Sequence, residues 1–117
     1  MPMNYTEERP WGSFENLYEA SKYKVKRIVV APNKSFSLQY HNERSEDWIV
    51  VEGYGLIRIN NEFKDCVIGD RVHIPVKSIH RATAGPAGLV IIEVQHGQCY
   101  EEDIFRLEDD YGRENNK

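Results

Sequence analysis

The chain has 117 residues, room for one hydrophobic core but not for a separate nucleotide-binding module. Hydrophobic residues make up 40% and charged residues 29%, the balance of a globular protein, and a single domain over residues 1–117 is expected. A formal net charge of -4 leaves no surplus of Lys and Arg to displace counterions, which excludes a general polyanion binder and makes nucleic acid an unexpected partner.

Cys66 and Cys99 are the only cysteines and form no CxxC pair, so neither a disulfide framework nor a thiolate metal site is expected. The opening MPMNYTEERPWGSF has no basic segment followed by an apolar stretch, and the apolar runs are far too short to cross a bilayer. The expectation is a cytoplasmic protein with no membrane partner.

Period-two patterns rich in β-branched residues predict strands at YKVKRIVVA from Tyr23, SFSLQYH from Ser35, DWIVVEG from Asp47, LIRIN from Leu56, RVHIP from Arg71 and LVIIEVQ from Leu89. Turn-forming residues separate them: Pro32-Asn33-Lys34, Asn60-Asn61-Glu62, Ile68-Gly69-Asp70 and Ala84-Gly85-Pro86-Ala87-Gly88. No ten-residue segment between these strands carries a helical repeat, which points to an all-β sandwich or barrel. In the tail EEDIFRLEDDYGRENNK, Ile104, Leu107 and Tyr111 recur at spacings of three and four and predict a short helical turn.

Chemistry concentrates in a few places. Alternation in SFSLQYH puts Ser35, Ser37, Gln39 and His41 on one face and Phe36, Leu38 and Tyr40 on the other. A tight connection around Arg44-Ser45 leads to Glu46, which a hairpin would set opposite His41. Far along the chain, Ile74-Pro75 leads through Val76-Lys77-Ser78-Ile79 to a second imidazole, His80. Two imidazoles, a carboxylate and an amide oxygen suit a borderline divalent ion (zinc, manganese, cobalt or iron) and leave coordination positions open for substrate. Glu93 and Gln95 share one face of an otherwise apolar strand. His73 reads as packing, His96 as an exposed turn residue, and Trp11 and Trp48 as core or rim aromatics.

In this arrangement the sequence resembles the cupin superfamily. Pro32 through Gly53 is similar to the first cupin motif in reduced form, and Gly69-DRVHI-Pro75-VKSI-His80 to the second, with Lys77 where glycine is usual. It resembles more closely the type II phosphomannose isomerase domain, also found as the C-terminal part of bifunctional isomerase/mannose-1-phosphate guanylyltransferases. The similarity runs through Arg9-Pro10-Trp11-Gly12-Ser13, SLQYH, IPVKSIHR and DIFRLEDDYGR. The resemblance implies a double-stranded β-helix (jelly-roll barrel), a homodimer for which Phe36, Leu38 and Tyr40 offer an apolar face, and metal-dependent interconversion of mannose-6-phosphate and fructose-6-phosphate through an enediolate.

On that reading the metal ligands are Gln39, His41, Glu46 and His80. The catalytic candidates are Glu93, Glu43, Lys77 and Arg81, and the substrate-binding candidates are Lys24, Lys26, Arg106, Arg113, Ser37 and Gln95. Where that family reads His-His-His-Arg this chain has His41-Asn42-Glu43-Arg44, and Asp47 stands in place of a common His. Glu43 shares parity with His41, so the third ligand is either Gln39 or Glu43, and a second carboxylate would favour a harder ion such as manganese. Two alternatives stay open: a cupin sugar-nucleotide epimerase or ketoisomerase, and a non-catalytic sugar-binding cupin.

Overall fold

Every strand in the computed structural model, which describes residues 5–111, joins one antiparallel sheet. The strands are β1 (Tyr5–Arg9), β2 (Gly12–Glu19), β3 (Tyr23–Val30), β4 (Leu38–Tyr40), β5 (Arg44–Ile59), β6 (Glu62–Val67), β7 (Arg71–Ile74), β8 (His80–Gly97) and β9 (Phe105–Glu108). Their order is β1-β2-β3-β8-β4-β9, with β5 pairing β6, β7 and β8. Among the described residues no helix is long and apolar enough to cross a membrane.

The all-β expectation holds, with three corrections. First, the stretches beginning at Asp47 and Leu56 are one long strand, β5, which runs beside β8 from Arg44↔Gly97 to Ile59↔His80. Second, Ala84-Gly85-Pro86-Ala87-Gly88, expected as a loop, lies inside β8. Gly53 pairs with Leu89 and Gly55 with Ala84, so residues 85–88 face Tyr54 alone and form a wide bulge that accommodates Pro86 without a ladder hydrogen bond. Gly53 makes the close approach possible: its φ is +72°, and a Cβ there would sit 2.1 Å from the Gly88 carbonyl oxygen.

The third correction concerns the tail. Phe105–Glu108 is a strand rather than a helical turn, because β4 offers an edge whose backbone groups pair with it: Leu38↔Glu108, Gln39↔Arg106 and Tyr40↔Phe105. Tyr40 and Phe105 stack there with ring centroids 5.1 Å apart. A helix would have had only a weak face to bury, since Leu107 is 41% exposed in place.

The apolar core is held by aromatics in edge contact, Trp11 to Phe36 at 5.6 Å and Phe36 to Trp48 at 5.8 Å. Phe36 and Leu38 are therefore buried within this chain and do not present the open apolar face expected for a dimer. Register then fixes where chemistry can occur. Across β3, β8 and β5 the inward face is apolar at one end, with Val30↔Leu89 and Ile28↔Ile91↔Val50. Two residues further along each strand it turns polar, first as Lys26↔Glu93↔Trp48 and then as Lys24↔Gln95↔Glu46, every one of them buried.

Candidate metal and active site

His80 enters at the start of β8, opposite Gln39 of β4, and His41 follows β4 directly. Glu46, two residues into β5, lies between them. The His41 Nε2 atom is 3.2 Å from Glu46 Oε2, and His80 Nε2 is 3.8 Å from Glu46 Oε1. All three ligand atoms lie within 4.8 Å of one another, and all three residues are buried. Ligands at about 2.1 Å from one tetrahedral ion are separated by roughly 3–4 Å, so the set fits a divalent ion with little adjustment.

The orientation of the rings makes the same point. His41 Nδ1 lies 2.7 Å from the Asp103 carbonyl oxygen and His80 Nδ1 lies 2.9 Å from the Ser78 carbonyl oxygen. A carbonyl only accepts, so each Nδ1 carries the proton and each Nε2 lone pair is turned inward, the pattern that ligating histidines use. His80 Nε2 is left buried with no hydrogen-bond partner. Burial lowers the His80 pKa to about 4, and burial together with Arg44 and His80 lowers that of His41 to about 3, so both imidazoles are neutral at physiological pH.

Glu46 is fixed from both sides. Arg44 Nε donates to Glu46 Oε2 at 3.0 Å and Trp48 Nε1 donates to Glu46 Oε1 at 3.0 Å. Arg44 also donates to the Tyr100 carbonyl, and its Nη2 is 3.3 Å from His41 Nε2. Next to this group, Glu93 accepts from Gln95 Nε2 at 2.8 Å and from Trp48 Nε1 at 3.2 Å. Burial, then the nearby Glu46 carboxylate, push the Glu93 pKa up to about 7.

Of these groups, His41, Arg44 and Glu93 open onto a cavity of about 170 Å³ that Gln39, Ser37, Lys26, Glu101 and Arg106 also line, among others. The chain matches the family described as mannose-6-phosphate isomerase C-terminal over residues 2–109. It belongs to that family. It is 42% identical over 107 residues to the alginate biosynthesis protein AlgA of Pseudomonas aeruginosa and 39% identical over 107 residues to the mannose-1-phosphate guanylyltransferase ManC of Salmonella typhimurium. Each alignment takes in 90% of this chain but 22% of the relative, so the chain spans about a fifth of the length of these proteins. In structure it is similar to a cupin-2 domain from Rhodospirillum rubrum (TM-score 0.73, 15% identity, 88% of this chain and 80% of that one). At that identity the likeness shows the fold, which is a cupin.

Within this cupin domain the predicted residues separate into two groups. His41, Glu46 and His80 converge, and His41 shares the lining of the cavity with Gln39, Ser37, Glu93 and Lys26. Gln95 holds Glu93, and Gln39 Oε1 accepts from Ser37 Oγ at 3.1 Å. Lys24 lies one polar row away and shares a carboxylate partner with Lys26. Arg106 also lines the cavity.

Among the described residues, Glu43, Lys77 and Arg81 are not brought in. Glu43 is exposed, because the strand ends at Tyr40 and the turn at residues 41–43 breaks the parity that aligned it with His41. Its backbone N–H instead donates to the Asp103 carboxylate. Lys77 is exposed on a turn with φ +69°, the conformation for which the cupin motif usually keeps glycine. Arg81 points to the Phe36 carbonyl and to Glu108 and Asp110. Arg113 lies outside the described residues. His73 is exposed and paired with Asp47 at 2.8 Å rather than packed, and exposed His96 lies within β8, 3.3 Å from the same carboxylate.

Sequence reasoning missed Arg44, Glu101 and Asp103. Arg44 was open to discovery, since it shares strand parity with Glu46. Glu101 and Asp103 sit in the loop after β8 and reach partners about sixty or more positions away, with no local pattern to mark them.

Proposed function

We propose that the chain is a metal-dependent aldose–ketose isomerase domain acting on mannose-6-phosphate and fructose-6-phosphate. The observation that carries this reading is the convergence of two inward-turned Nε2 lone pairs and one carboxylate beside a second, independently held carboxylate. His41, Glu46 and His80 would hold the ion, and the amide oxygen of Gln39, which pairs with His80 across the sheet, would be the fourth donor. Exposed Glu43 drops out of the ligand set, and with it the second carboxylate that would have favoured manganese; zinc, cobalt, iron and manganese all remain compatible with one carboxylate and two imidazoles.

A divalent ion bound there supplies Lewis acidity to the sugar oxygens that carry charge during isomerisation. The chain's own residues do the rest. Glu93 moves the proton between the two adjacent carbons, and it is suited to do so because it both accepts and releases a proton near neutrality. Gln95 and Trp48 hold its two oxygens in place, and the burial of this row keeps bulk water from the reacting carbons. Lys26 and Arg106 form the cationic side of the cavity that receives the phosphate, with Lys24 beside Lys26 on their shared Glu101 partner. The name of the family supports the substrate pair; the guanylyltransferase name belongs to relatives of which this chain matches about a fifth.

The test couples metal analysis to isomerase assay. In His80→Ala, metal content and turnover of mannose-6-phosphate are expected to fall together. Wild-type protein that carries a divalent ion yet fails to convert the sugar, or a variant that keeps both, would refute the assignment.

A further inference from the structure

Lys24 and Lys26 are among the least exposed residues of the chain, at 3% and 5%, although Lys is almost never found so deep without full pairing. Both ammonium groups converge on the same atom. Lys24 Nζ lies 3.0 Å and Lys26 Nζ 2.7 Å from Glu101 Oε2. The face of Phe14 adds a weaker partner to Lys26, 4.1 Å from the ring centroid. Two ammonium groups with six N–H donors between them thus direct one bond each to a single oxygen of Glu101, whose one negative charge offsets only half of the charge on the two lysines; Glu93 faces Lys26 across the sheet.

Glu101 differs from its partners in exposure and in the element that carries it. Its side chain is 53% exposed and belongs to the loop between β8 and β9, whereas the lysines project from β3 in mid-sheet. Burial acts to raise its pKa, but Lys26 and Lys24 more than offset this and hold it at about 2, so it is an anion at all ordinary pH. Glu101 and Lys26 both line the cavity that holds His41 and Glu93.

We propose that Lys24 and Lys26 form the seat of a phosphomonoester dianion and that Glu101 is a built-in competitor, a carboxylate that occupies the seat and leaves when the dianion arrives. A dianion with three terminal oxygens compensates both charges and uses donors that Glu101 leaves idle. The loop need not unfold for this. It is pinned at Asp103, whose carboxylate accepts from the backbone N–H groups of Asn42 and Glu43 and whose carbonyl orients His41. Glu101 can swing away while that anchor holds the ligand ring. The inference rests on the sugar-phosphate reading for the identity of the ligand, but it concerns affinity rather than turnover.

Inorganic phosphate is the probe, titrated by calorimetry into the full chain and into Glu101→Gln. Removing the competing charge is expected to tighten phosphate binding about fivefold or more. Phosphate should also raise the melting temperature of Glu101→Gln more than that of wild type, because the variant leaves two buried ammonium groups waiting for an anion. Adding Lys26→Met to Glu101→Gln should abolish the gain. Phosphate affinity that is unchanged or weaker in Glu101→Gln, or a gain that persists in the double variant, overturns the proposal. Absence of isomerase turnover with the phosphate pattern intact sinks the proposed function and leaves this inference standing; turnover with no effect of Glu101→Gln on phosphate affinity does the reverse.

Discussion

The buried polar row should make stability depend on pH in a way that separates its members. Both imidazoles are held well below their ordinary 6.5, at about 3 for His41 and about 4 for His80, while Glu93 is raised from 4.5 to about 7. Consider the window between those ordinary values. Unfolded chain takes up protons on both imidazoles that the native chain refuses, so their contribution is complete above pH 6.5 and is lost as pH falls towards 4. Glu93 has the opposite sign, since native chain holds a proton that unfolded chain has released; its contribution is complete below pH 4.5 and is lost as pH rises through 7.

Two groups against one leaves the unfolded state with up to one proton more, and each proton is worth about 1.4 kcal/mol per pH unit. Chelator-treated wild type should therefore gain stability with rising pH at a slope approaching about 1.4 kcal/mol per unit. In Glu93→Gln the opposing group is gone and the slope should approach about twice that. Urea unfolding at several pH values within the window, with EDTA present, measures both slopes. A wild-type slope that is flat or negative, or a Glu93→Gln slope no steeper than wild type, would show that the three groups do not titrate as this geometry requires.

Two backbone predictions concern the turns that frame the site. Lys77→Gly should raise stability by about 0.5–1 kcal/mol, because it removes a side chain from the left-handed region without losing the Lys77 N–H bond to the His41 carbonyl; thermal unfolding reads it, and a loss of stability would contradict it. Gly53→Ala should cost at least about 2 kcal/mol, since positive φ and a Cβ 2.1 Å from the Gly88 oxygen act together, and a melting temperature near wild type would be the contrary result.

The parity of side chains was legible from the residues, and it carried most of the site. Glu93 with Gln95 was separable from its apolar neighbours by alternation alone, whereas Lys24 and Lys26 stood out only as cations suited to a phosphate. Alternation does not say which face turns inward, and here the inward face is the polar one at this end of the sheet. That outcome follows from pairing: β8 lies between β3 and β5 at residues 89–96, so its polar residues are covered on both sides by strands whose own inward residues are polar. Parity failed where the strand itself failed. Glu43 was aligned with His41 on the premise of a continuous strand, and a turn intervenes. The tail failed for a different reason, because three residues at helical spacing are a weaker pull than an open strand edge beside β4.

The cost of the polar row argues for what it is kept for. Buried Glu46, His80, Glu93, Lys24 and Lys26 each lose hydration that a Leu or Val at the same inward position would not, and a fully apolar row would generally match or exceed their contribution to stability. The chain shows that it can fill such positions with apolar residues, since it does so two residues along the same strands at Ile28, Ile91 and Val50. The hydrogen bonds in the row stop short of full satisfaction, with His80 Nε2 and Gln95 Oε1 both buried and without partners. A network built for stability alone would close these ends. One left open at a neutral imidazole and at an amide oxygen, next to a carboxylate that titrates near pH 7, has the form of a surface waiting for a cation on one side and a polar molecule on the other.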